Sequence, residues 1–98
     1  MTLKPTFRKA ARLEYDAAVL WYESNRIGLG AEFIAEIENA LHEACEAPSR
    51  FHAVVQDVRR IRVRRFPYFI FFRVRADQLI VLAVFHSRRQ PSIWRERT

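Results

Sequence analysis

The sequence predicts an α+β fold with the element order β-α-α-β-β-β-α, in which a helical hairpin packs on one side of a small antiparallel sheet. In the first half of the 98 residues, apolar side chains recur at helical spacing. The two glycines of the chain, Gly28 and Gly30, fall together in that half, where they separate two helices. After Gln56 the apolar pattern changes to the two-residue repeat of strands. At this length, residues 1–98 are expected to form a single domain.

The first elements are a short strand and a helix. Residues 3–7 are expected to form the strand, and Pro5 favours an edge position because proline has no amide N–H for a ladder. Residues 9 to 25 contain neither glycine nor proline and predict the helix. Its expected core stripe is Ala10, Leu13, Ala17, Leu20 and Trp21. A second apolar stripe on the far side consists of Tyr15, Val19 and Tyr22.

The second helix has the clearest pattern in the chain. Its predicted buried face consists of Phe33, Ile37, Ala40, Leu41 and Ala44. Glutamates repeat on the opposite side, which is typical of a solvated face. Pro48 is expected to end this helix, and residues 49–56 are predicted to form a loop.

Three strands are expected in the second half. Around Ile61 and Val63 the alternation predicts a strand with one arginine face, formed by Arg60, Arg62 and Arg64. After Phe66 and Pro67, residues 68–75 resume the alternation and end in a tight turn at residues 76–78. Residues 79–85 form a continuous apolar run, which is typical of a central strand buried on both faces. Pro91 is expected to begin a terminal helix at residues 92–97.

Positive charge is concentrated in the second half of the chain. The formal net charge is +6, with a net of −2 over residues 1–55 and +8 over residues 56–98. All eleven bases of the second segment are arginines, whose planar fork suits phosphates and carboxylates. This asymmetry predicts a polyanionic partner, either a nucleic acid or an acidic protein segment.

The predicted sheet and its C-terminal rim are the candidate binding surface. The residues expected to bind a target or partner are Arg60, Arg62, Arg64, Arg73, Arg75, Arg89 and Trp94. The aromatic side chains of Tyr68, Phe69 and Phe71 lie among them in sequence. They are candidates for base stacking, with burial in the core as the alternative.

His86 is the candidate catalytic residue, since it lies where the central strand ends. An imidazole side chain is suited to proton transfer, and Arg88 or Arg89 would stabilise charge on a reacting phosphate. With Arg65, these residues form a candidate set for metal-independent RNA cleavage through the 2′-hydroxyl. The alternative is a hydrogen-bonded structural histidine.

Other classes of protein are disfavoured by composition. One cysteine, Cys45, forms no intramolecular disulfide, and histidines at positions 42, 52 and 86 match no metal-ligand spacing. No metal and no cofactor are therefore expected. No apolar run approaches the length of a membrane span, so a cytoplasmic protein without a membrane partner is expected.

The ordered set of motifs resembles the RelE/ParE superfamily of bacterial toxins over nearly the whole chain. The resemblance lies in the glycine hairpin before Phe33 and Ile37, in Pro48, and in the strands of the second half. It also includes the arginine block, which runs from Arg59 to Arg65 and is followed by Phe66, Pro67 and Tyr68. It ends with His86-Ser87-Arg88-Arg89.

This resemblance implies a toxin of a type II toxin–antitoxin system, neutralised by a cognate antitoxin whose acidic segment covers the basic sheet and the helices. His86 followed by Arg88, Arg89 and Pro91 is closer to the ParE-like branch, whose members act on DNA gyrase. The alternative is the RelE-like branch, which cleaves messenger RNA in the ribosomal A site. A non-toxic nucleic-acid-binding domain is a third possibility.

Overall fold

The computed structural model describes residues 3–88, in which two helices pack on one face of a five-stranded sheet. In chain order the elements are β1 (Lys4–Phe7), α1 (Lys9–Asn25), α2 (Leu29–Glu46), a short 3-10 helix (Pro48–Arg50), β2 (Ala53–Val55), β3 (Val58–Arg62), β4 (Tyr68–Arg75) and β5 (Gln78–His86). The predicted α+β class is confirmed.

The sheet differs from the prediction in two respects. Its strand order is β1-β5-β4-β3-β2, and it is mixed because β1 runs parallel to β5, from Lys4 opposite Gln78 to Phe7 opposite Val81. The strand β2 falls where a loop was predicted, since three residues are too few to show an alternating pattern. The predicted helix at residues 92–97 lies outside the described residues.

The helical hairpin forms where the glycines predict it. Gly28 has φ +91°, a conformation that side chains with a Cβ disfavour, and it precedes the first residue of α2. The Glu23 carboxylate accepts hydrogen bonds from the backbone N–H of Gly28, at 3.0 Å, and of Gly30, at 2.9 Å. A Cβ on Gly30 would lie 2.9 Å from that carboxylate and 3.0 Å from the Val19 carbonyl oxygen. The second glycine therefore permits close packing between the helices.

The main core lies between the helices and the sheet. The predicted face of α2 is buried as expected, with Phe33, Ile37 and Ala44 fully enclosed. Phe33 packs against Tyr22 of α1 and against Phe66 and Tyr68 of the sheet side, with ring centroids 5.1 Å away in each case.

The predicted orientation of α1 is wrong. Its buried residues are Ala11, Tyr15, Ala18 and Tyr22, whereas Leu13, Leu20 and Trp21 are 61%, 71% and 60% exposed. Both stripes have helical spacing, and α2 together with the sheet selects the aromatic one. The ring of Tyr15 stacks on Phe7 of β1 with centroids 5.5 Å apart.

The opposite face of the sheet carries a second, smaller apolar cluster. Its buried members are Val58, Phe71, Leu82, Ala83 and Phe85. The strand β5 contributes to both clusters, so the prediction of a central strand buried on both faces is confirmed.

Candidate interaction surface

Two arginines of β3 flank one aromatic ring on the sheet face away from the helices. The Cζ atoms of Arg60 and Arg62 lie 4.5 and 5.6 Å from the centroid of the Phe69 ring, and Phe69 pairs with Arg62 across the β3–β4 ladder. Both arginines are exposed, and neither forms an ion pair with another residue between positions 3 and 88. Their guanidinium groups are therefore available to an anionic partner.

The next two arginines follow the end of β3 and pair with carboxylates of α2. The strand β3 ends at Arg62, and Arg65 in the following turn has φ +71°. Arg64 lies 3.5 Å from the Glu43 carboxylate of α2, so its predicted place in the arginine face of the sheet is wrong. The alternation stops at Arg62 because the chain turns there toward α2.

Arg65 is held against the glutamate side of α2. Its guanidinium lies 2.5 Å from the Glu32 carboxylate and 3.7 Å from that of Glu36, and Arg26 lies 3.0 Å from Glu32. Hydrogen bonds from Arg65 and Arg26 hold the pKa of Glu32 below its ordinary value. The hydrogen bond with Glu32 also raises the pKa of Arg65. This side of α2, predicted to be solvated, instead supplies counter-charges to arginines.

A single carboxylate in the β2–β3 turn pairs with both arginines of β4. Asp57 accepts a hydrogen bond from Arg73, at 3.1 Å, and a short one from Arg75. The hydrogen bond from Arg75 is the main cause that lowers the pKa of Asp57. Arg73 is buried, with only 9% of its surface exposed. Of the two β4 arginines that were predicted to bind a partner, one therefore lies inside the fold.

The predicted catalytic histidine lies at the rim of the sheet. The His86 ring is half-buried and packs edge-on against Tyr68, with centroids 5.3 Å apart, and its Nδ1 accepts the backbone N–H of Arg88 at 3.1 Å. Arg65, the other member of the candidate set, has its ion pairs on α2. Within residues 3–88, none of these contacts joins Arg65 to His86.

The aromatic candidates for base stacking have different environments. Tyr68 faces the helices and contacts Tyr22 and Phe33, and Phe71 is buried in the smaller cluster. Phe69 is half-buried between the two arginines of β3. The alternative of burial in the core is therefore confirmed for Phe71, and the ring of Tyr68 also contacts core residues.

Two grooves flank the exposed side of α1, and the sequence did not indicate them. One, of about 440 Å³, is lined by Leu13, Trp21, Tyr68 and His86 among others. The other, of about 610 Å³, lies toward β1 and α2. The signal that points to this surface is the presence of two apolar stripes on α1, since one stripe suffices to attach a helix to its core.

The remaining residues predicted to bind a partner lie outside the residues that the structure describes. Arg89 and Trp94 are not among residues 3–88. In that part of the chain no group of three or more metal-ligating side chains was found. Nor does either described helix have the length and apolarity of a membrane span.

Comparison with known proteins places the chain in a family. A family model for the ParE toxin of the type II toxin–antitoxin system parDE matches residues 6–91. The chain belongs to this ParE toxin family. The resemblance to the RelE/ParE superfamily, on its ParE-like side, is thereby confirmed.

A solved structure of the chromosomal ParDE TA system from P. aeruginosa contains a chain whose fold is similar to the one described above. The TM-score is 0.71 at 18% sequence identity, and the alignment covers 87% of this chain and 96% of that chain. A search of curated proteins found no match.

Proposed function

We propose that this member of the ParE family is the growth-inhibiting toxin of a toxin–antitoxin pair, that residues 1–98 form a single toxin domain, and that a cognate antitoxin neutralises it in the cytoplasm. The observation that carries the proposal is the family match over residues 6–91. The fold shared with a chain of a ParDE system supports it.

The charge distribution supports an antitoxin with an acidic segment. Arg60 and Arg62 on β3 are exposed and lack intramolecular carboxylate partners within residues 3–88, whereas Arg64, Arg65, Arg73 and Arg75 have them. An acidic segment crossing β3 would supply the missing counter-charge. The binding role therefore concentrates on Arg60 and Arg62.

A growth experiment tests neutralisation. The chain is induced alone, and then together with the product of the reading frame beside its gene. Growth arrest in the first case and growth in the second are expected. Unchanged growth on induction alone, with the protein shown to accumulate, would contradict the toxin assignment.

We propose DNA gyrase as the target. The ParE family assignment favours it, and the ion pairs that hold Arg65 against Glu32 and Glu36 offer less support for the RNA-cleaving alternative. Mapping of transcript ends after induction distinguishes the two. Intact messages are expected. Cuts within translated codons that disappear in the His86→Ala variant would instead establish the ribosome-dependent endonuclease.

A further inference from the structure

Two guanidinium groups on the sheet face away from the helices have no anionic partner in the described part of the chain. Arg60 and Arg62 are exposed, and no carboxylate or carbonyl oxygen between residues 3 and 88 accepts a hydrogen bond from either side chain. The nearest carboxylate in sequence, Asp57, is already paired with both arginines of β4. An anion from outside the chain is therefore needed to supply the counter-charge.

The two arginines are held in place on one face of one strand. They lie two residues apart on β3, which places their Cα atoms about 7 Å apart at the ordinary rise of a strand. Their guanidinium groups lie 4.5 and 5.6 Å from the centroid of the Phe69 ring on β4. These cation–π contacts restrict both side chains and so reduce the entropy that they lose when an anion binds.

The backbone of β3 is not available to a ligand. The strand lies between β2 and β4 in the sheet, and the Arg60 N–H donates to the His52 carbonyl oxygen at 3.1 Å. A ligand on this face is therefore recognised by charge and by side-chain hydrogen bonds alone. Such recognition does not depend on the sequence of the ligand, and it is the way in which proteins contact the phosphates of nucleic acids.

The aromatic side chains of this face favour a double-stranded ligand. Proteins that bind single strands stack the bases on accessible aromatic rings. Here Phe71 is buried, and the half-buried Phe69 is already contacted by two guanidinium groups. A duplex keeps its bases stacked inside the helix and presents its phosphates, so it suits two arginines that have no stacking platform beside them.

We propose that Arg60 and Arg62 bind the sugar–phosphate backbone of duplex DNA, each through the N–H donors of its guanidinium group to one phosphate. The planar fork of arginine matches two oxygens of a phosphate. At about 7 Å, the spacing of the two arginines is close to that of neighbouring phosphates along one strand. The net charge of +8 over residues 56–98 attracts a polyanion to this half of the chain.

This inference goes beyond the proposed function, because it gives the free chain an affinity for DNA whether or not gyrase is its target. In the proposed toxin–antitoxin pair, DNA and the acidic segment of the antitoxin would contact the same two arginines and exclude each other. An acidic protein segment is therefore the competing ligand, and the experiment separates the two.

The salt dependence of DNA binding provides the first test. The purified chain, made by cell-free synthesis, is titrated into a labelled duplex of random sequence at several salt concentrations, and binding is followed by fluorescence anisotropy. Each phosphate contact contributes about 0.9 to the slope of log K against log salt concentration, so Arg60→Gln and Arg62→Gln should each lower the slope by about 0.9.

Arg65→Gln is the matched control. It removes the same charge, but its guanidinium is paired with the carboxylate of Glu32 on α2. Its slope should therefore equal that of the wild type. Circular dichroism of all three variants verifies folding. An equal loss of slope in Arg65→Gln would show that only the overall charge matters, and it would overturn the proposal.

Three further ligands separate the possible sources of negative charge. They are single-stranded DNA of the same length, an RNA duplex and a poly-glutamate peptide. Duplex DNA should bind at least as tightly as each of them at the same salt concentration. Tighter binding of the single strand or of the RNA duplex would overturn the assignment to duplex DNA.

Two other outcomes would also overturn it. One is a folded wild-type chain that binds poly-glutamate but no duplex at low salt, which would assign the two arginines to an acidic protein segment. The other is duplex binding that Arg60→Gln and Arg62→Gln leave unchanged. Neither outcome involves growth or gyrase, so a chain that arrests growth without binding DNA would contradict this inference and leave the proposed function in place.

Discussion

At the residue scale, two carboxylates hold groups that lie several positions away in the chain. Glu23 holds the N-terminal amides of α2, and Asp57 holds two arginines of β4. Neither carboxylate belongs to a recognisable sequence motif. Their partners lie five to eighteen positions away in the chain, and the fold brings them into contact.

Replacement of Glu23 by alanine should weaken the helical hairpin. The carboxylate satisfies the backbone amides of Gly28 and Gly30, which would otherwise lack partners from within α2. By analogy with N-cap residues, Glu23→Ala should lower the free energy of unfolding by about 1–2 kcal/mol in urea titrations. The matched change Glu38→Ala, at an exposed position of α2, should cost less. Equal losses in the two variants would show that the amide contacts contribute nothing specific.

The role of Asp57 should depend on pH. Its pKa is lowered in the folded state, chiefly by Arg75, so the stabilisation it gives is present above the ordinary aspartate pKa and is lost as pH falls through the folded-state value. Because the side chain is 42% exposed, solvent screening limits the effect, and Asp57→Asn should cost about 1 kcal/mol at neutral pH. The difference from wild type, measured by urea unfolding, should shrink in acid. A difference that is constant from neutral pH to acid would contradict the ion-pair explanation.

At the scale of elements, the sequence predicts what depends on local pattern. The α2 face around Phe33 and Ile37, the glycine hairpin and the doubly buried β5 were all predicted, because periodicity and turn chemistry are local. The buried side of α1 was not, because two stripes have the same spacing and only packing against α2 and β1 distinguishes them.

The arginine block also shows that a local pattern does not predict contacts made by the whole fold. Alternation places Arg60 and Arg62 correctly on one sheet face. It fails at Arg64, because β3 ends at Arg62 and the chain then turns toward α2, where Arg64 pairs with Glu43. Charge counting gives the location of positive charge along the sequence, but not the carboxylates that compensate it.

The two strand positions with exposed arginines should dominate antitoxin binding. Arg60→Ala and Arg62→Ala each remove a guanidinium without an ion-pair partner within residues 3–88, and each should weaken binding of the adjacent-frame protein about tenfold. Arg64→Ala is the control, since its guanidinium lies beside Glu43. Isothermal titration at two salt concentrations measures the effect. Comparable losses for all three variants would contradict a binding surface centred on β3.

At the scale of the whole molecule, the fold separates two surfaces. The sheet face away from the helices carries Arg60 and Arg62 beside Phe69, and the solvent side of α1 carries Leu13, Leu20 and Trp21. A polar, charged surface and an apolar helical surface suit different partners. The two surfaces can therefore contact different partners.

We propose that this ParE-family chain is a toxin that acts on DNA gyrase. This proposal is tested most directly by a supercoiling assay with purified gyrase, relaxed plasmid and the purified chain, with the chain bound to its antitoxin as the matched control. Inhibition that rises with the concentration of the free chain, and that is absent with the complex, is the predicted result. Full supercoiling at every concentration of a folded chain that still arrests growth would contradict gyrase as the target.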